Sequence, residues 1–278
     1  MIAEFLASLL TPAPKWAKGM EYLDEAIAIE ARARRCCDAW APHQQQTKDV
    51  IVDAIKACEQ HRTVLVVGSG ACLDLPLAAL AEVFERILLI DIVHPLKAKR
   101  HRWKHVLHVT LDITGQMETL YDNPEQLPEI TIPDFYHDVA DIDCVLSVNL
   151  ASQLPVMPIK YLVHKETHNE NDLDRFAKDL LVAHFTWLSG FTCATALICD
   201  KAWEQLDVSG HVIETYDPLY GLISQQTTSE WYWDVAPRYE TGTEFSRRNC
   251  VGYWSNFLFT DSDNLSDKPC MNSNCTYV

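Results

Sequence analysis

The sequence predicts an α/β fold, a doubly wound, mostly parallel Rossmann-like sheet with N-terminal helices and antiparallel C-terminal edge strands. Short β-branched runs alternate with helical stretches over residues 63–199, which is typical of such a sheet. The first run, residues 63–67, is apolar on both alternating faces, as a strand between two helical layers must be. After residue 210 the runs are aromatic and are separated by proline and glycine, which favours mixed or antiparallel pairing.

Two helices are predicted before the first strand. Apolar residues recur at helical spacing over residues 20–40 and again over residues 45–60, with charged residues on the remaining faces. A third long helix is predicted over residues 171–188, where His184 falls on the apolar stripe and is expected at the core or its boundary.

The later strands complete the predicted order and divide the chain into three segments. They are predicted at residues 87–90, 106–110, 144–148, 194–199, 211–216, 230–235 and 250–259. Residues 1–60 are then an N-terminal helical extension, and residues 61–259 the Rossmann-like domain. Residues 260–278 are rich in Asp, Ser and Asn, which predicts a flexible tail.

The acidic balance of the chain restricts its partners. The sequence has 39 acidic and 23 basic residues and a formal net charge of −16, which disfavours binding to nucleic acid. Ten cysteines are scattered without paired CxxC spacing or a convincing signal peptide, so we expect reduced thiols in a cytoplasmic protein. No membrane partner is expected, because the apolar start of the chain is too short to span a bilayer.

The sequence also offers little for metal or phosphate-transfer chemistry. His164 and His168 have ligand-like spacing only if their segment is helical, and the residues between them favour a solvated loop. We therefore expect no metal site. No Gly-x-Ser-x-Gly elbow and no Walker phosphate loop occur in the chain, which disfavours hydrolases and kinases.

A glycine loop, Gly68-Ser69-Gly70, follows the first strand and precedes an apolar helical run. Glycine lets the backbone approach a ligand closely, and the start of a helix offers unpaired amides and the positive end of its dipole. We therefore expect a polar or anionic ligand group at this loop. Asp91 closes the second strand twenty-one positions after Gly70, where a carboxylate can accept hydrogen bonds from two ribose hydroxyls.

Polar side chains also follow the third and fourth strands. Asp112 closes the third strand, and Asn149 and Gln153 come just after the fourth. Ligands of open α/β sheets bind at this edge. Alternatives remain, because Asp91 and Asp112 suit turn caps, and Asn149 and Gln153 suit bonds to their own loop. For Asp74, a cap on the following helix is favoured over ligand contact.

These motifs resemble those of class I S-adenosylmethionine-dependent methyltransferases. The resemblance lies in residues 64–70, 89–91, 110–112 and 143–150, and the order of elements extends it over residues 60–200. It implies S-adenosylmethionine as cofactor, with Gly68 and Gly70 lining the methionine part and Asp91 holding the ribose. It also implies that Asp112 faces the adenine amino group and that Asn149 borders the transferring methyl. The full set of implied cofactor-binding residues is Gly68, Ser69, Gly70, Asp91, Ile92, Asp112, Ile113, Asn149 and Leu150.

The aromatic segment 230–240 is a candidate wall of the acceptor pocket. Trp231 and Trp233 offer aromatic faces, and Asp234 and Glu240 offer carboxylates. Methyl transfer from a sulfonium is an in-line displacement that needs few catalytic groups. The catalytic residues stay unassigned, with Asn149 and Asp234 as candidates. The alternative is an edge strand whose tryptophans share one face and pack on a helix.

The N-terminal helices are expected to cover the ligand cleft as a lid, with Tyr22, Glu30, Arg34, Trp40 and His43 as the residues over it. Tyr22 and Arg34 on these helices, and Gln153 after the fourth strand, join Trp231, Trp233 and Glu240 as candidates for substrate contact. Glu30 and Arg34 are one helical turn apart and also fit an exposed ion pair of little energetic value.

The leading hypothesis is a methyltransferase for a small-molecule or peptide acceptor. A second is an NAD(P)-dependent oxidoreductase, because a glycine loop and a following acid also suit a dinucleotide, although Leu73 stands where that fingerprint has its third glycine. A third is a non-catalytic ligand- or protein-binding member of the fold. It is motivated by Val66, in place of the usual acid, and Cys72, in place of the usual third glycine. The oligomeric state is left open.

Overall fold

A computed structural model describes residues 9–260 of the chain. Residues 1–8 of the predicted helical extension and residues 261–278 of the predicted tail lie outside this range. The strands are β1 (Thr63–Val67), β2 (Arg86–Asp91), β3 (Val106–Thr110), β4 (Ile142–Val148), β5 (Ala194–Leu206), β6 (Val212–Tyr216), β7 (Ser229–Ala236) and β8 (Ser246–Ser255). The helices are α1 (Lys15–Gly19), α2 (Tyr22–Arg35), α3 (Cys37–Lys56), α4 (Leu77–Val83), α5 (Met117–Asp122), α6 (Val156–Lys165), α7 (Glu170–Ser189) and α8 (Arg238–Thr241).

The strands in the described range form one eight-stranded sheet in the order β3-β2-β1-β4-β5-β8-β7, with β6 paired to β5. Pairing is parallel from β3 through the first part of β5. The C-terminal strands add by antiparallel pairing, β8 to β5, β7 to β8 and β6 to the far end of β5. The predicted fold class is confirmed, a mostly parallel α/β sheet with helices and antiparallel edge strands.

The central strands bury both faces, which explains their continuous apolar sequence. All five residues of β1 are buried. Val64 and Val66 face a core layer that includes Ile51 of α3, whereas Leu65 and Val67 face a layer that includes Phe185 of α7. Because successive side chains point to opposite sides, each strand needs apolar residues at every position.

Helix α7 follows its predicted bounds within one residue at each end. The side chain of Asn169 caps its start and accepts a hydrogen bond from the backbone N–H of Asp172 at 3.0 Å. His184 is buried, as the sequence predicts. A further buried cluster forms where α1, α5, α6 and α7 meet, and it includes Trp16, Met117 and Phe176.

The N-terminal helices differ from the prediction in their boundaries. The predicted helix over residues 20–40 is interrupted at Cys36, where φ is −103° and ψ is 23°. The second helix begins at Cys37 rather than Gln45 and ends at Lys56. Pro42 lies inside it, past the first turn, where proline has no N–H to donate to the carbonyl of Asp38. Residues 41–44, which the prediction left between the two helices, are therefore helical.

Two C-terminal strands also differ from their predicted bounds. β5 continues seven residues beyond the predicted end at Cys199, to Leu206, because its far half pairs with both β8 and β6. β8 lies at Ser246–Ser255 rather than at residues 250–259, because Asn256 turns into the left-handed region with φ of 49°. Residues 200–206 of β5 and 246–249 of β8 include many polar side chains, so the sequence there lacks the apolar pattern of a strand.

The division of the chain into an extension and a domain stays a prediction. Helix α3 packs on β7 and β5, and several residues of α2 and α3 reach the cavity described below. Within residues 9–260, no helix combines the length and apolarity needed to cross a bilayer.

Candidate functional site

A cavity of about 570 Å³ lies at the carboxyl ends of β1, β2, β4 and β5. The strand order reverses direction at β1, between β2 and β4, and ligands of open α/β sheets bind at such a point. The volume is that of a small-molecule site. The sequence-predicted residues that line it are Tyr22, Gly68, Ser69, Gly70, Asp91, Ile92, Asp112, Ile113, Asn149, Leu150, Gln153 and Trp233.

The glycine loop is hydrogen-bonded to the end of β2 and lies close against the end of β4. The backbone N–H groups of Gly68 and Ser69 both donate to the carbonyl of Ile90, at 3.0 and 3.2 Å. Gly68 has φ of +81°, and a Cβ there would lie 2.4 Å from the carbonyl oxygen of Val148 and 2.7 Å from Cβ of Leu150. Position 68 therefore needs glycine for its conformation and for the close approach of the loop after β4.

Asp91 faces the glycine loop across the cavity entrance. Its Oδ2 accepts a hydrogen bond from the N–H of Gly70 at 2.7 Å, and its Oδ1 a longer one from the N–H of Val93 at 3.4 Å. Burial raises the pKa of Asp91, and the nearby His94 and the Gly70 N–H oppose this shift. Each carboxylate oxygen accepts more than one hydrogen bond, so Asp91 retains capacity for a hydroxyl-bearing ligand.

Asp112 both lines the cavity and caps its own loop. Oδ1 accepts hydrogen bonds from the N–H and the hydroxyl of Thr114, at 2.9 and 2.7 Å. Oδ2 accepts from the N–H of Met117 at 2.8 Å, at the start of α5. The capping alternative for Asp112 is therefore present in the structure, and it occupies both oxygens with backbone contacts. The neighbouring Ile113 is buried and also lines the cavity.

The N-terminal helices contribute one wall of the cavity. Tyr22 of α2 lines it, and burial, with Asp112 and Asp91 nearby, raises its pKa well above the ordinary value. Its phenol therefore stays protonated and can donate a hydrogen bond. Arg34, predicted to contact substrate, lies outside this wall. Half of its side chain is exposed, and it lies 4.0 Å from Glu30, the ion pair expected as the alternative.

Three side chains meet where the glycine loop, β4 and α3 converge. Asn149, with φ of 50°, donates from Nδ2 to Oδ2 of Asp74 at 2.9 Å. Nε2 of His43 lies 3.3 Å from the same Nδ2 and 3.8 Å from Oδ2 of Asp74. Oδ1 of Asn149 is buried and has no partner among residues 9–260. We call these residues the His43–Asp74–Asn149 cluster.

This cluster corrects the expectation for Asp74. Helix α4 begins at Leu77, and its first turn has no side-chain cap. Asp74 instead lines the cavity and bonds to Asn149 across the two loops. The helix starts two residues later than a cap by Asp74 requires, because the loop continues through Pro76.

A second buried carboxylate, Asp200 in β5, also lines the cavity. Its Oδ2 accepts hydrogen bonds from four neutral donors, Ser152, Gln153, Trp203 and Asn249, at 2.8–3.2 Å. Gln153 thus contacts Asp200 rather than only its own loop. Burial raises the pKa of Asp200, and the hydrogen bonds from Trp203, Asn249 and Ser152 partly oppose that shift.

The two tryptophans of β7 pack on α3, as the alternative of an edge strand packed on a helix predicts. The ring of Trp233 stacks on His43 with centroids 4.1 Å apart, and Nε1 of Trp231 donates to Nδ1 of His43 at 3.0 Å. Trp233 also lines the cavity, whereas Trp231 lies behind it. Alternation along the strand leaves Asp234 exposed on the opposite face. Asp234 is thus remote from the cavity, which contradicts its proposed catalytic position.

Glu240 likewise lies outside the cavity lining. It accepts a hydrogen bond from Nε of Arg35 at 2.8 Å, and Arg32 lies 3.5 Å away. Arg32 itself lines the cavity. Glu240 therefore joins α8 to α2 and holds an arginine of the cavity wall, which replaces the direct substrate contact expected from the sequence.

Sequence reasoning missed Asp200. Asp200 follows the run 194–199 directly, so the argument used for Asp91 and Asp112 would have found it. His43, predicted with the N-terminal helices to cover the cleft, is buried and lies behind the cavity wall, where the ring of Trp233 stacks on it. His168 bonds to the carbonyl of Pro124 at 2.9 Å. In the described part of the chain, no group of three or more His, Cys, Asp or Glu side chains is arranged to hold a metal ion.

Comparisons with known proteins add little to this geometry. No protein-family model matches the chain, and no curated protein matches its sequence. Among solved structures, a proposed type II methyltransferase from Anaeromyxobacter dehalogenans is 11% identical, with 77% of this chain and 97% of that chain covered and a TM-score of 0.35. The 23S rRNA methyltransferase ErmE is 9% identical, with 77% and 71% covered and a TM-score of 0.28. Similarity at this level does not indicate a function for this chain.

Proposed function

We propose that the protein is an S-adenosylmethionine-dependent methyltransferase that acts on a small-molecule or peptide acceptor. The observation that carries the proposal is the pairing of the Gly68–Gly70 loop with Asp91 at the mouth of one cavity, joined by the 2.7 Å bond from Gly70 to Oδ2. The sequence motif and the strand order support it together.

The residues present fit the cofactor. Asp91 has a carboxylate oxygen with spare acceptor capacity for ribose hydroxyls. Ile92, Ile113 and Leu150 offer apolar surface to an adenine ring. The unpartnered, buried Oδ1 of Asn149 is an acceptor that faces no protein donor among the described residues, and an ammonium group would satisfy it. When bound, S-adenosylmethionine supplies an electrophilic methyl group on a sulfonium.

The protein itself must then bind and orient the cofactor and the acceptor, and it must exclude water from them. The acceptor's lone pair must line up with the bond from sulfur to methyl carbon, since the bonding electrons leave with sulfur. Trp233 and Trp40 supply apolar walls that exclude water from the cavity. The neutral ring of His43 packs beside Asn149 and Asp74, with Nε2 3.3 Å from Nδ2 of Asn149 and 3.8 Å from Oδ2 of Asp74. A proton released by the acceptor passes to a carboxylate of the cavity or to solvent.

The proposal includes the expected partners and location. The net charge of −16 argues against a nucleic-acid acceptor. Each of the eight cysteines within the described range is a free thiol, which supports a cytoplasmic location.

Calorimetric titration with S-adenosylhomocysteine, NAD and NADP tests the proposal. We expect S-adenosylhomocysteine to bind the wild type, and Asp91→Ala to weaken it at least about tenfold, because a hydrogen bond to a charged group contributes about 1.5–3 kcal/mol. Asp138→Asn is the matched control, since it removes the same charge from an exposed position away from the cavity. Binding of a nicotinamide cofactor alone overturns the proposal, and binding of none of the three favours a non-catalytic module.

A further inference from the structure

Asp200 lies at the end of the cavity opposite Asp91. Strand order places β2, β1, β4 and β5 side by side, so Gly68 and Asn149 lie between the two carboxylates. The N–H of Asn149 donates to the carbonyl of Ile198 at 2.8 Å, which fixes the loop after β4 against β5 just ahead of Asp200. If Asp91 holds the adenosyl group, the Asp200 end is where the acceptor enters.

The carboxylate of Asp200 is buried without a cationic partner. Its residue exposure is 3%, and the four donors on Oδ2 are all neutral. Within residues 9–260, Asp200 makes no salt bridge, and its Oδ1 accepts no hydrogen bond. Oδ1 nevertheless retains some accessible surface, because it is not among the fully enclosed polar atoms that have no partner. Because Asp200 lines the cavity, this free oxygen has access to it. A buried carboxylate of this kind is stabilised by a cation or a strong donor.

His43 does not supply that cation. Indole N–H only donates, so the 3.0 Å bond from Trp231 requires a lone pair on Nδ1 of His43. His43 therefore carries its proton on Nε2 and is neutral. Neither Asp74 nor Asp200 gains a positive charge from it.

The walls around Asp200 suit a positive group. Trp203 and Trp233 line the cavity, and Trp203 stacks on Tyr216 with centroids 5.4 Å apart. Aromatic faces attract cations. Among the described residues that line the cavity, carboxylates outnumber basic side chains by seven to three. The carboxylates are Glu25, Asp74, Asp91, Asp112, Asp200, Glu204 and Glu214, and the basic residues are Arg32, Lys160 and Arg247.

We propose that the acceptor is a small amine whose ammonium group is held by Asp200 between the faces of Trp203 and Trp233. The inference rests on the proposed function, because it assigns the Asp91 end of the same cavity to the adenosyl compound. The amine is the anchoring group of the acceptor, and Asp200 is its binding residue.

The test compares three probes that differ only in their terminal group, phenethylamine, phenethyl alcohol and phenylacetate. Their dissociation constants are measured by ligand-observed NMR on the full-length protein at neutral pH, with saturating S-adenosylhomocysteine. We expect the amine to bind the wild type at least about tenfold more tightly than the alcohol, which corresponds to about 1.4 kcal/mol, and the acid to bind most weakly.

Two variants assign this preference to Asp200. Asp200→Asn is nearly isosteric and should abolish the preference for the amine while it leaves binding of the alcohol unchanged. Asp53→Asn removes the same charge from an exposed position on α3 and should leave the preference intact. Calorimetry with S-adenosylhomocysteine checks that each variant is folded.

The outcomes separate the two proposals. Tight binding of S-adenosylhomocysteine without an amine preference in the wild type, or with one that Asp200→Asn retains, overturns the amine assignment and leaves the methyltransferase proposal standing. Absence of S-adenosylhomocysteine binding overturns the proposed function and the amine assignment with it.

Discussion

Nε1 of Trp231 donates a hydrogen bond to Nδ1 of His43 at 3.0 Å, across 188 positions of sequence. This bond fixes the tautomer of a fully buried imidazole. It also joins α3 to β7 directly behind the cavity, since the neighbouring Trp233 stacks on the same ring. A tryptophan outside the cavity thus determines which nitrogen of His43 faces Asn149 and Asp74.

Replacement of Trp231 by phenylalanine should destabilise the fold. The ring is kept, but Nδ1 of His43 loses its donor and stays buried, so we expect a loss of about 1–3 kcal/mol in the free energy of unfolding. Urea denaturation measures this loss. Tyr232→Phe is the control on the same strand, because Tyr232 is exposed and its ring contact with Arg248 is kept, and it should cost no more than about 0.5 kcal/mol. Equal losses in the two variants would contradict the role of the bond.

Gly68→Ala should lower the free energy of unfolding by more than the backbone strain at positive φ alone would cause. Gly210→Ala is the matched control, because Gly210 has φ of +82° against +81° at Gly68, but nothing lies within 4 Å of a Cβ at position 210. Each substitution should lower the free energy of unfolding by about 1–2 kcal/mol, because alanine is strained in the left-handed backbone conformation. Gly68→Ala adds a clash with Val148 and Leu150, for which we expect a further ~1–3 kcal/mol.

Urea denaturation and titration with S-adenosylhomocysteine check this pair of glycine variants. Gly68→Ala should also weaken the binding of S-adenosylhomocysteine, whereas Gly210→Ala should leave it unchanged. Similar effects of both variants on unfolding and binding would mean that the loops after β1 and β4 are free to move apart.

Most of the fold and one end of the site could be predicted from local sequence. The run 63–67 could only be a strand buried on both faces, and the Gly68–Gly70 loop with Asp91 follows from the geometry of parallel strands. Those features depend on neighbours in sequence and on one rule, that carboxyl ends of parallel strands meet at one edge. That rule also brings Asp112 and Asn149 to the cavity.

The other end of the site depends on contacts that no local pattern encodes. His43 reaches Asn149 and Trp231 only because α3 packs on β5 and β7. Glu240 was expected at the substrate because it follows the aromatic segment, yet α8 carries it to Arg35 of α2. Period-two alternation did predict that both tryptophans share a face. The same alternation places Asp234 on the opposite, exposed face, so the choice of Asp234 as a catalytic candidate was wrong.

The buried His184 predicts a specific dependence of stability on pH. Burial lowers its pKa to about 4 from the ordinary 6.5, and its Nε2 lies 2.9 Å from the hydroxyl of Ser147. Between these values the unfolded chain binds a proton at His184 that the folded chain does not. This contribution to stability is therefore complete above pH 6.5 and is lost as pH falls towards 4.

His184→Gln isolates that contribution. His94 and His108, whose pKa values burial also lowers, are present in both proteins and cancel in the comparison. We expect the wild type to lose up to about 1.4 kcal/mol per pH unit relative to the variant across the window. Urea denaturation at a series of pH values measures the difference, with the exposed His211→Gln as control. A difference between wild type and His184→Gln that stays constant with pH would show that His184 does not titrate on unfolding.

Substitutions of Cys72 test whether the glycine loop tolerates a cysteine where the methyltransferase motif has its third glycine. Cys72 has φ of 57°, the left-handed conformation for which glycine is best suited, and its N–H bonds to the carbonyl of Ser69 at 2.7 Å. Cys72→Gly removes the strain but also removes a side chain packed on the core, so we expect a net change within about 1 kcal/mol. Cys72→Val keeps the packing but puts a β-branched residue at positive φ, which should cost about 1–2 kcal/mol.

Binding of S-adenosylhomocysteine then separates backbone shape from side-chain chemistry at this position. Burial, with Asp91 and Asp74 nearby, raises the pKa of the Cys72 thiol to about 12, so the thiol is neutral at physiological pH and offers no charge to a ligand. Affinity should therefore follow the backbone. It should be retained or improved in Cys72→Gly and reduced in Cys72→Val, with unfolding measured on both to confirm the fold. Loss of binding in Cys72→Gly would mean that the thiol itself contacts the ligand, because that variant keeps the loop's preferred conformation.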